Sequence, residues 1–426
     1  MEKEVKYNEQ KFDSIWWDNF LLETKNMSET TVFKGCILKE ETRLMQSYIL
    51  EILSDLARMR TNKHGYRVYI EGVMLNNSEM KQIYDSPPLK DENLKDWSVR
   101  TFGNKKFGMI INQGERFNLD LSKSIALKLK PLLEKTGMPT EGIIFTLFIG
   151  NYDKTPLGIH KDLPGKSVIH FHLGPSSKTM YTWDTEEYVK SAGKDIFNNH
   201  DIEKYIPIAN KFTINEGDLY FMPEDLFHVG TQDDFSIAIG CWCYNRSKYD
   251  FALRLQTLFL NPILKSNREN LKADNNDLND TSDINQTLAL FNFPEDLKNL
   301  SFENLMKETY KDLRYSLHSN AGYRTSPFIR SKKINLNLDN MIQIEEPYKI
   351  LYKESLNTEK LHVFVRGTKI ELNNFENIKH LIDEINKGKS IMINQLLKIL
   401  PSEWDESIGL YILNTIYKHH GVKLLN

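Results

Sequence analysis

NYDKTPLGIHKD, at residues 151–162, contains His160 and Asp162 in a His-x-Asp spacing. If this segment forms a β-strand, the two side chains point to the same face, because strand side chains alternate with a period of two. A histidine and a carboxylate on one face can bind a metal, but a lone His-x-Asp pair is common by chance. The pair therefore needs a further ligand from elsewhere in the chain before it indicates a metal site.

A second segment, EGDLYFMPEDLFHVG at residues 216–230, supplies a further histidine. Gly217-Asp218 is typical of a turn and Leu219 to Phe221 of a strand. Pro223 then ends this strand, and His228 opens the next one. Two imidazoles and one carboxylate leave open positions on a metal, an arrangement that suits non-haem Fe(II) and O2 chemistry.

The linear order of these features resembles the JmjC and cupin-like family of Fe(II)/2-oxoglutarate-dependent oxygenases. The resemblance is closest to the bacterial ribosomal-oxygenase-like branch, whose members hydroxylate proteins or peptides. It is carried by TPLGIHKD, by GPSSK at residues 174–178 and by EGDLYFMPEDLFH, and it extends more loosely from Trp16 to Asn245. The resemblance implies a double-stranded β-helix (jelly-roll or cupin) core.

The resemblance also implies the site residues. His160, Asp162 and His228 would bind Fe(II), with no catalytic residue beyond these metal ligands. Lys178 would bind the distal carboxylate of the cosubstrate 2-oxoglutarate, since a charge deep in an apolar barrel needs a cationic partner. However, the spacing from Gly174 to Lys178 is longer than in the resembled enzymes, and a surface lysine on a turn is the alternative.

Other polar residues near these motifs leave alternatives open. SVIHFHLG at residues 167–174 predicts a strand that carries His170 and His172, and either histidine is an alternative metal ligand. Strand histidines are nevertheless more often core or pocket residues. The segment from Asn151 to Thr155, or neighbouring strand positions, would complete the cosubstrate pocket.

Composition excludes several classes of protein. A chain of 426 residues predicts about two or three domains. The net charge of -3 and the lack of a basic stripe argue against nucleic acid as the main partner. The three cysteines exclude a disulfide framework. The N-terminal MEKEVKYNEQ has no apolar segment, and no run of about 18 apolar residues occurs, so we expect a cytoplasmic protein without a membrane span.

Sequence periodicity predicts the elements around the motifs. Upstream, the patterns predict an aromatic-rich helix within residues 12–37, a strand at Thr31–Ile37, helices at Met45–Leu56 and Leu119–Leu133, and strands at Tyr66–Gly72, Phe107–Asn112 and Gly142–Gly150. Downstream, Ser236–Tyr244 predicts a further strand. Asp184–Phe212 is a charged insert, either a lid over the barrel mouth or a solvated excursion.

The C-terminal half has a different organisation. From Leu264 the sequence is rich in Asn and Asp and predicts a linker, followed by a helical pattern at Leu297–Leu317. From Asn335 a small α+β unit, with two strands about Arg366-Gly367, resembles a winged helix. Because its basic residues are few and scattered among acidic ones, a structural or protein-contact role is favoured over DNA binding.

The chain is therefore predicted to be an α+β protein with three regions. Residues 1–262 would form the oxygenase domain with N-terminal helices, 263–334 a linker and helical dimerisation region, and 335–426 the winged-helix-like domain. The predicted function is hydroxylation of an amino-acid side chain in a protein or peptide, with decarboxylation of 2-oxoglutarate to succinate, by a homodimer. Alternatives are the same chemistry on a free amino acid or small metabolite, and a non-enzymatic cupin-type binding or regulatory protein.

Overall fold

The computed structural model describes residues 11–194, 196–271, 273, 277–330 and 335–425. The N-terminal segment MEKEVKYNEQ and parts of the predicted linker region lie outside these residues. Within the described ranges, no helix combines the length and the apolar character that a membrane span requires.

The N-terminal region supplies helices that cover one face of a sheet. In chain order its elements are α1 (Ser14–Glu23), β1 (Thr31–Phe33), α2 (Lys39–Met59), β2 (Tyr66–Ile70), β3 (Val73–Met74), α3 (Met80–Tyr84), α4 (Leu94–Phe102), β4 (Phe107–Ile111), α5 (Leu119–Thr136) and β5 (Ile143–Gly150). The predicted helices and strands of this region are present. The strand that was predicted to reach Ile37 ends at Phe33, and α3 and α4 were not predicted.

The central region is rich in strands. Its elements are β6 (His160–Lys161), β7 (Lys166–Pro175), β8 (Lys178–Trp183), α6 (Thr185–Ala192), α7 (Ile202–Tyr205), β9 (Asn210–Ile214), β10 (Leu219–Met222), β11 (Phe227–Thr231) and β12 (Ser236–Tyr244). Strand β12 has the predicted bounds. The sequence predicts that His160 and Asp162 lie in one strand. In the structure His160 lies in β6, but Asp162 lies just after it.

Two antiparallel sheets form the core. The larger sheet has the order β1-β10-β7-β12-β5-β4-β2-β3, and the smaller has the order β6-β11-β8-β9. From β5 to β12 the chain crosses repeatedly between the sheets: β5, β7, β10 and β12 belong to the larger, and β6, β8, β9 and β11 to the smaller. This strand order is that of a double-stranded β-helix, as predicted.

Each sheet has its own apolar cover. Helices α1, α2 and α5 pack on the larger sheet in one buried cluster, in which Phe20 contacts Phe221 with ring centroids 5.4 Å apart. The insert between β8 and β9 packs on the smaller sheet, where Tyr188 lies 4.7 Å from Phe227. The insert is therefore a packed part of the barrel wall, and its prediction as a solvated excursion is wrong.

The C-terminal half contains a second apolar core. Its elements are α8 (Lys248–Ile263), α9 (Asn285–Leu288), α10 (Phe302–Ser319), β13 (Met341–Gln343), β14 (Leu351–Glu354), β15 (Lys360–Val365), β16 (Thr368–Asn373), α11 (Glu376–Asn386), β17 (Ile391–Met392), α12 (Ile393–Leu396), α13 (Glu406–Lys418) and β18 (Lys423–Leu425). Strands β15 and β16 flank Arg366-Gly367 as predicted, whereas α8 was not predicted. Residues 336–422 supply this core, but the winged-helix likeness and the domain boundaries stay predictions.

The segment after α10 joins the barrel. The amide of Ile143, at the start of β5, donates to the carbonyl of Gly322 at 2.8 Å, and the amide of Arg324 donates back to the carbonyl of Ile143 at 2.9 Å. Tyr323 lies between them, is 2% exposed, and belongs to the main barrel cluster. Residues from beyond the predicted oxygenase domain thus pair with the start of β5, where β4 does not reach.

A buried carboxylate reinforces this junction. Glu141 is 1% exposed and precedes β5. Arg246, Arg254 and Arg324 all pair with it, the latter two at 2.9 and 3.7 Å. Because a buried carboxylate is costly without cationic partners, these three arginines offset the burial of Glu141 and connect β5, the start of α8 and the segment after α10.

A second buried carboxylate forms no ion pair among the described residues, although Arg116 is near enough to lower its pKa. Glu115, between β4 and α5, is 1% exposed and accepts a hydrogen bond from the amide of Phe145 at 3.0 Å. Burial raises the pKa of Glu115 to about 7, although the Phe145 amide opposes this shift. The folded state therefore holds a proton that the unfolded chain releases at lower pH, so stability is present below the ordinary pKa and declines as pH rises towards 7.

We expect Glu115→Gln to remove this decline, because the amide keeps an acceptor for Phe145 but does not ionise. Between pH 5.5 and 8, the free energy of unfolding of the wild type should fall relative to the variant by on the order of 2 kcal/mol. Urea unfolding at the two pH values measures this difference. Glu134→Gln, at an exposed position of α5, is the control, and equal pH dependence of wild type and Glu115→Gln would contradict the assignment.

Candidate functional site

A pocket opens between the two sheets. The larger sheet contributes side chains from β2, β4, β5, β7, β10 and β12, and the smaller sheet contributes side chains from β6, β8 and β11. All four sequence-predicted site residues line this pocket: His160, Asp162, Lys178 and His228. The fold thus brings together residues from three separate strands and one loop.

The two histidines face each other across neighbouring strands. His160 and His228 are directly paired between β6 and β11, with ring centroids 4.3 Å apart. Their Nδ1 atoms lie 2.9 Å from the carbonyl of Gly158 and 3.1 Å from that of Leu226. An Nδ1–H that donates to a carbonyl leaves Nε2 as the lone-pair atom, which is the state of a metal-binding histidine.

Electrostatics keep His228 in the form that can bind a metal. Burial, together with the neighbouring His160, lowers the pKa of His228 to about 4, although the carboxylate of Asp162 opposes this shift. The imidazole of His228 is therefore neutral at physiological pH, and its lone pair does not compete with a proton.

Asp162 has an unsatisfied oxygen. Its Oδ2 lies 3.7 Å from Nε2 of His228, beyond hydrogen-bond distance, and this buried oxygen has no hydrogen-bond partner in the part of the chain that the structure describes. Buried carboxylate oxygens are costly unless they are paired with donors or cations. A divalent cation between Asp162 and the two histidines would satisfy this oxygen, so the donor set fits iron or a similar metal.

These contacts do not amount to a ready-made metal site. Among the described residues, no three His, Cys, Asp or Glu side chains already have the arrangement of a metal-ligand group. His228 lies close to both His160 and Asp162. That all three residues bind one metal ion stays a prediction.

Lys178 is a buried cation without an anionic partner. It begins β8, is 5% exposed, and its Nζ lies 3.1 Å from the hydroxyl of Tyr152. The ring of Phe148 is 5.4 Å from the same ammonium. No carboxylate within the described chain forms an ion pair with Lys178, and such buried lysines are rare. The alternative of a surface lysine on a turn is therefore wrong, and the role of Lys178 in binding an anion stays a prediction.

Two features that support Lys178 were missed in the sequence. A Cβ atom at Gly230 of β11 would lie 2.8 Å from Cε of Lys178, so this glycine provides the space for the lysine. Gly108 and Gly150 provide the space for Tyr152, since a Cβ at either position would lie 3.0 Å from the Tyr152 ring. No local sequence pattern indicates these contacts, because each joins residues from different strands.

The alternative histidines lie on the larger sheet. His170 lines the pocket, its Nε2 is buried without a partner, and burial lowers its pKa well below the ordinary value. His172 does not line the pocket, and its Nε2 lies 2.8 Å from the carbonyl of Ser176. Among the pocket residues, His170 thus stays an alternative ligand, whereas His172 is engaged with the backbone.

Comparisons with known proteins give structural matches only. No family model matches the chain, and no curated protein sequence matches it. Among solved structures, the ribosomal oxygenase YcfD of Escherichia coli matches with 11% sequence identity, coverage of 100% of both chains and a TM-score of 0.49. The same oxygenase in complex with cobalt and 2-oxoglutarate matches with 11% identity, 96% and 98% coverage, and a TM-score of 0.48. At this identity and TM-score, the matches show only that the chain is similar to these structures over its whole length. They assign no function to any residue of this chain.

Proposed function

We propose that this protein is an Fe(II)/2-oxoglutarate-dependent oxygenase that hydroxylates an amino-acid side chain in a protein or peptide. One observation carries the proposal: the pocket contains both a buried carboxylate oxygen without a partner, on Asp162, and a buried ammonium without a counterion, on Lys178. The carboxylate of Asp162 would be stabilised by a cation and the ammonium of Lys178 by an anion. A metal ion chelated by a dicarboxylate provides the cation for Asp162 and the anion for Lys178.

The residues have distinct roles in this proposal. His160, Asp162 and His228 hold the iron, with the Nδ1 contacts of both histidines orienting the rings. When bound, iron and 2-oxoglutarate supply the activation of O2. In the overall reaction, 2-oxoglutarate, O2 and a substrate C–H group give succinate, CO2 and a C–OH group, with one oxygen atom in succinate and the other in the hydroxyl.

Lys178 and Tyr152 are proposed to bind the end of 2-oxoglutarate that does not contact the metal. The ammonium and the hydroxyl, 3.1 Å apart, can both contact the distal carboxylate of 2-oxoglutarate. Apolar side chains line the remaining wall around them, among them Ile110, Phe148, Val168, Met180 and Met222. Because these side chains exclude water, the contact between ammonium and carboxylate is stronger than it would be in solvent.

Two alternatives have their own tests. An oxygenase that acts on a free amino acid or small metabolite would form succinate when that compound is added but not when peptides are added. A non-enzymatic binding protein would form no succinate from 2-oxoglutarate under any of these conditions. Succinate formation with Fe(II), O2 and a peptide pool, together with a gain of one oxygen on a peptide, is the test of the proposed function.

The C-terminal unit is proposed to contact protein rather than nucleic acid. Helix α13 carries Lys418 as the basic residue of its last turn and exposes Ile408 and Tyr411, at 41% and 67%. Phosphate binding needs clustered Lys and Arg side chains, which this helix lacks.

The helical region is proposed to hold two copies of the chain together. In the 16-residue helix α8 only Ile263 is buried, and in the 18-residue helix α10 only Leu317 and Ser319 are. Tyr249, Leu253 and Leu260 of α8 are 72%, 45% and 37% exposed. Because helices of this length are marginal without tertiary packing, an apolar partner surface is expected on α8 and α10.

The metal prediction is tested with Mn(II), which binds such ligands without turnover. We expect the wild type to bind one Mn(II), and Asp162→Ala to weaken binding by about 100-fold or more, since loss of a group that merely supports a ligand already costs about 10- to 100-fold. Calorimetry or the electron paramagnetic resonance signal of free Mn(II) measures the affinity. His170→Ala is the matched comparison. If His170→Ala abolishes binding and Asp162→Ala does not, His170 is the ligand instead.

The cosubstrate prediction uses the same Mn(II)-loaded protein. Lys178→Ala should raise the Kd of 2-oxoglutarate tenfold or more, because a hydrogen bond to a charged group contributes about 1.5–3 kcal/mol. Gly230→Ala should act in the same direction, since its Cβ would displace the lysine. Lys166→Ala removes another lysine of the pocket and should leave the Kd unchanged. Wild-type affinity in Lys178→Ala would exclude Lys178 as the anchor.

The dimer prediction, made for the helical region 263–334, is tested on the neighbouring helix α8, whose Phe251 contacts Tyr310 of α10. We expect the wild type to sediment as a dimer at micromolar concentration, and Leu253→Glu combined with Leu260→Glu to sediment as a monomer, because both charges would be buried in the interface. Leu22→Glu, at a leucine of α1 that is 73% exposed, is the control and should remain dimeric. A monomeric wild type would contradict the dimer and leave the metal and cosubstrate assignments unaffected.

A further inference from the structure

The charged side chains that line the pocket are mostly cationic. Arg67, Lys166 and Lys178 are the lysines and arginines among the described lining residues, and Asp162 is the lining carboxylate. In the proposed complex, the metal dication, the 2-oxoglutarate dianion, Asp162 and Lys178 together are neutral. Arg67 and Lys166 therefore remain as positive charges without a counterion in the loaded pocket.

Arg67 has an unsatisfied donor. Its Nε is buried and has no hydrogen-bond partner, and no carboxylate of the described residues forms an ion pair with its guanidinium. Arginine carries five donors in a planar fork that matches a carboxylate. A buried guanidinium nitrogen without a partner is costly, so this site is expected to receive an acceptor from a ligand.

The position of Arg67 separates it from the proposed cosubstrate anchor. In the larger sheet Arg67 pairs with Ile110, and Ile110 pairs with Phe148, whose ring contacts Lys178. All of these side chains line the pocket. Two inter-strand spacings, about 10 Å, lie between the backbones of Arg67 and Phe148, which leaves room for a substrate group beside 2-oxoglutarate.

Lys166 is a second pocket cation that forms no ion pair with any of the described residues. Its ammonium lies 5.7 and 5.4 Å from the rings of Trp242 and Tyr244. The buried carboxylate of Glu141 is already paired with three arginines and does not form an ion pair with Lys166. The pocket around the metal site thus has a positive potential that its own residues do not neutralise.

We propose that the substrate presents a carboxylate to Arg67, with Lys166 adding to the attraction. This inference rests on the proposed oxygenase function, since the charge balance assumes bound metal and 2-oxoglutarate. It assigns an acidic substrate to the pocket: a peptide with Asp or Glu beside or at the oxidised position. The carboxylate of a free amino acid has the same chemistry. Lysine and arginine side chains are excluded by repulsion from Arg67.

Binding of short peptides tests this assignment on the full chain loaded with Mn(II) and 2-oxoglutarate. The probes are pentapeptides with acetylated and amidated ends and a central Asp, Asn, Glu, Gln or Lys, together with free aspartate and free asparagine. We expect an acidic peptide to bind at least tenfold more tightly than its amide counterpart, and the Lys peptide not to bind. Tight binding of both free amino acids and not of blocked peptides would assign the carboxylate to a free amino acid. The proposal would be overturned if the acidic and amide probes bound equally, or did not bind, both among the blocked peptides and among the free amino acids.

Variants of Arg67 locate the effect. Arg67→Gln should abolish the preference for acid over amide, and Arg67→Glu should reverse it in favour of the Lys peptide. Arg58→Gln, which removes an arginine on the outer surface of α2, is the control and should keep the wild-type preference. A preference that survives Arg67→Glu would overturn the assignment to Arg67.

The same measurements separate this inference from the proposed function. The Kd of 2-oxoglutarate should be unchanged in Arg67→Gln, because Lys178 holds the cosubstrate. If the wild type binds neither Mn(II) nor 2-oxoglutarate, the oxygenase proposal fails. The comparison of acid and amide peptides on the metal-free protein then still decides whether Arg67 receives a carboxylate.

Discussion

The register between β6 and β11 is the constraint on which the proposed site depends. It places His160 directly opposite His228, although the two lie far apart in the chain. Strand β6 has only two residues, so β11 is held mainly by its longer ladder with β8 on the other side. A shift of one residue in that ladder would turn His228 out of the pocket, because side chains alternate between faces. The strand that begins with Lys178 thereby also positions a proposed metal ligand.

Local patterns were sufficient to predict most strands of the barrel and the segments that carry His160, Asp162, Lys178 and His228. Strand β9 is an exception, because it begins inside the segment that was predicted as an insert. Continuous or alternating apolar residues bounded by Gly and Pro predict such strands well, and β12 has the predicted bounds. The surroundings of these residues could not be predicted in the same way. Gly230 belongs to a segment that was recognised, but nothing in that segment indicates that a lysine from β8 lies against it.

Elements whose stability depends on distant contacts were the ones missed or misassigned. Helix α8 was not predicted, because its apolar residues are distributed around the helix and do not form one stripe. The insert after β8 is charged in sequence, yet Tyr188 and Tyr205 pack with Trp183 and Phe227 on the smaller sheet. Arg67 likewise gave no local signal. Its unpartnered nitrogen is meaningful only because β2 extends the larger sheet over the pocket.

The junction around Glu141 and Ile143 has a consequence for how the chain can be divided. Strand β5, the first strand of the barrel, is bonded at its start to the segment that contains Tyr323, and Arg324 of that segment pairs with Glu141. A barrel taken from this chain at residue 262 and joined to a different C-terminal half would lose these bonds on one side of β5, while β12 would still pair with the other side. Its buried glutamate would also lack one cation. The two halves are therefore stabilised together, even though each has its own apolar core.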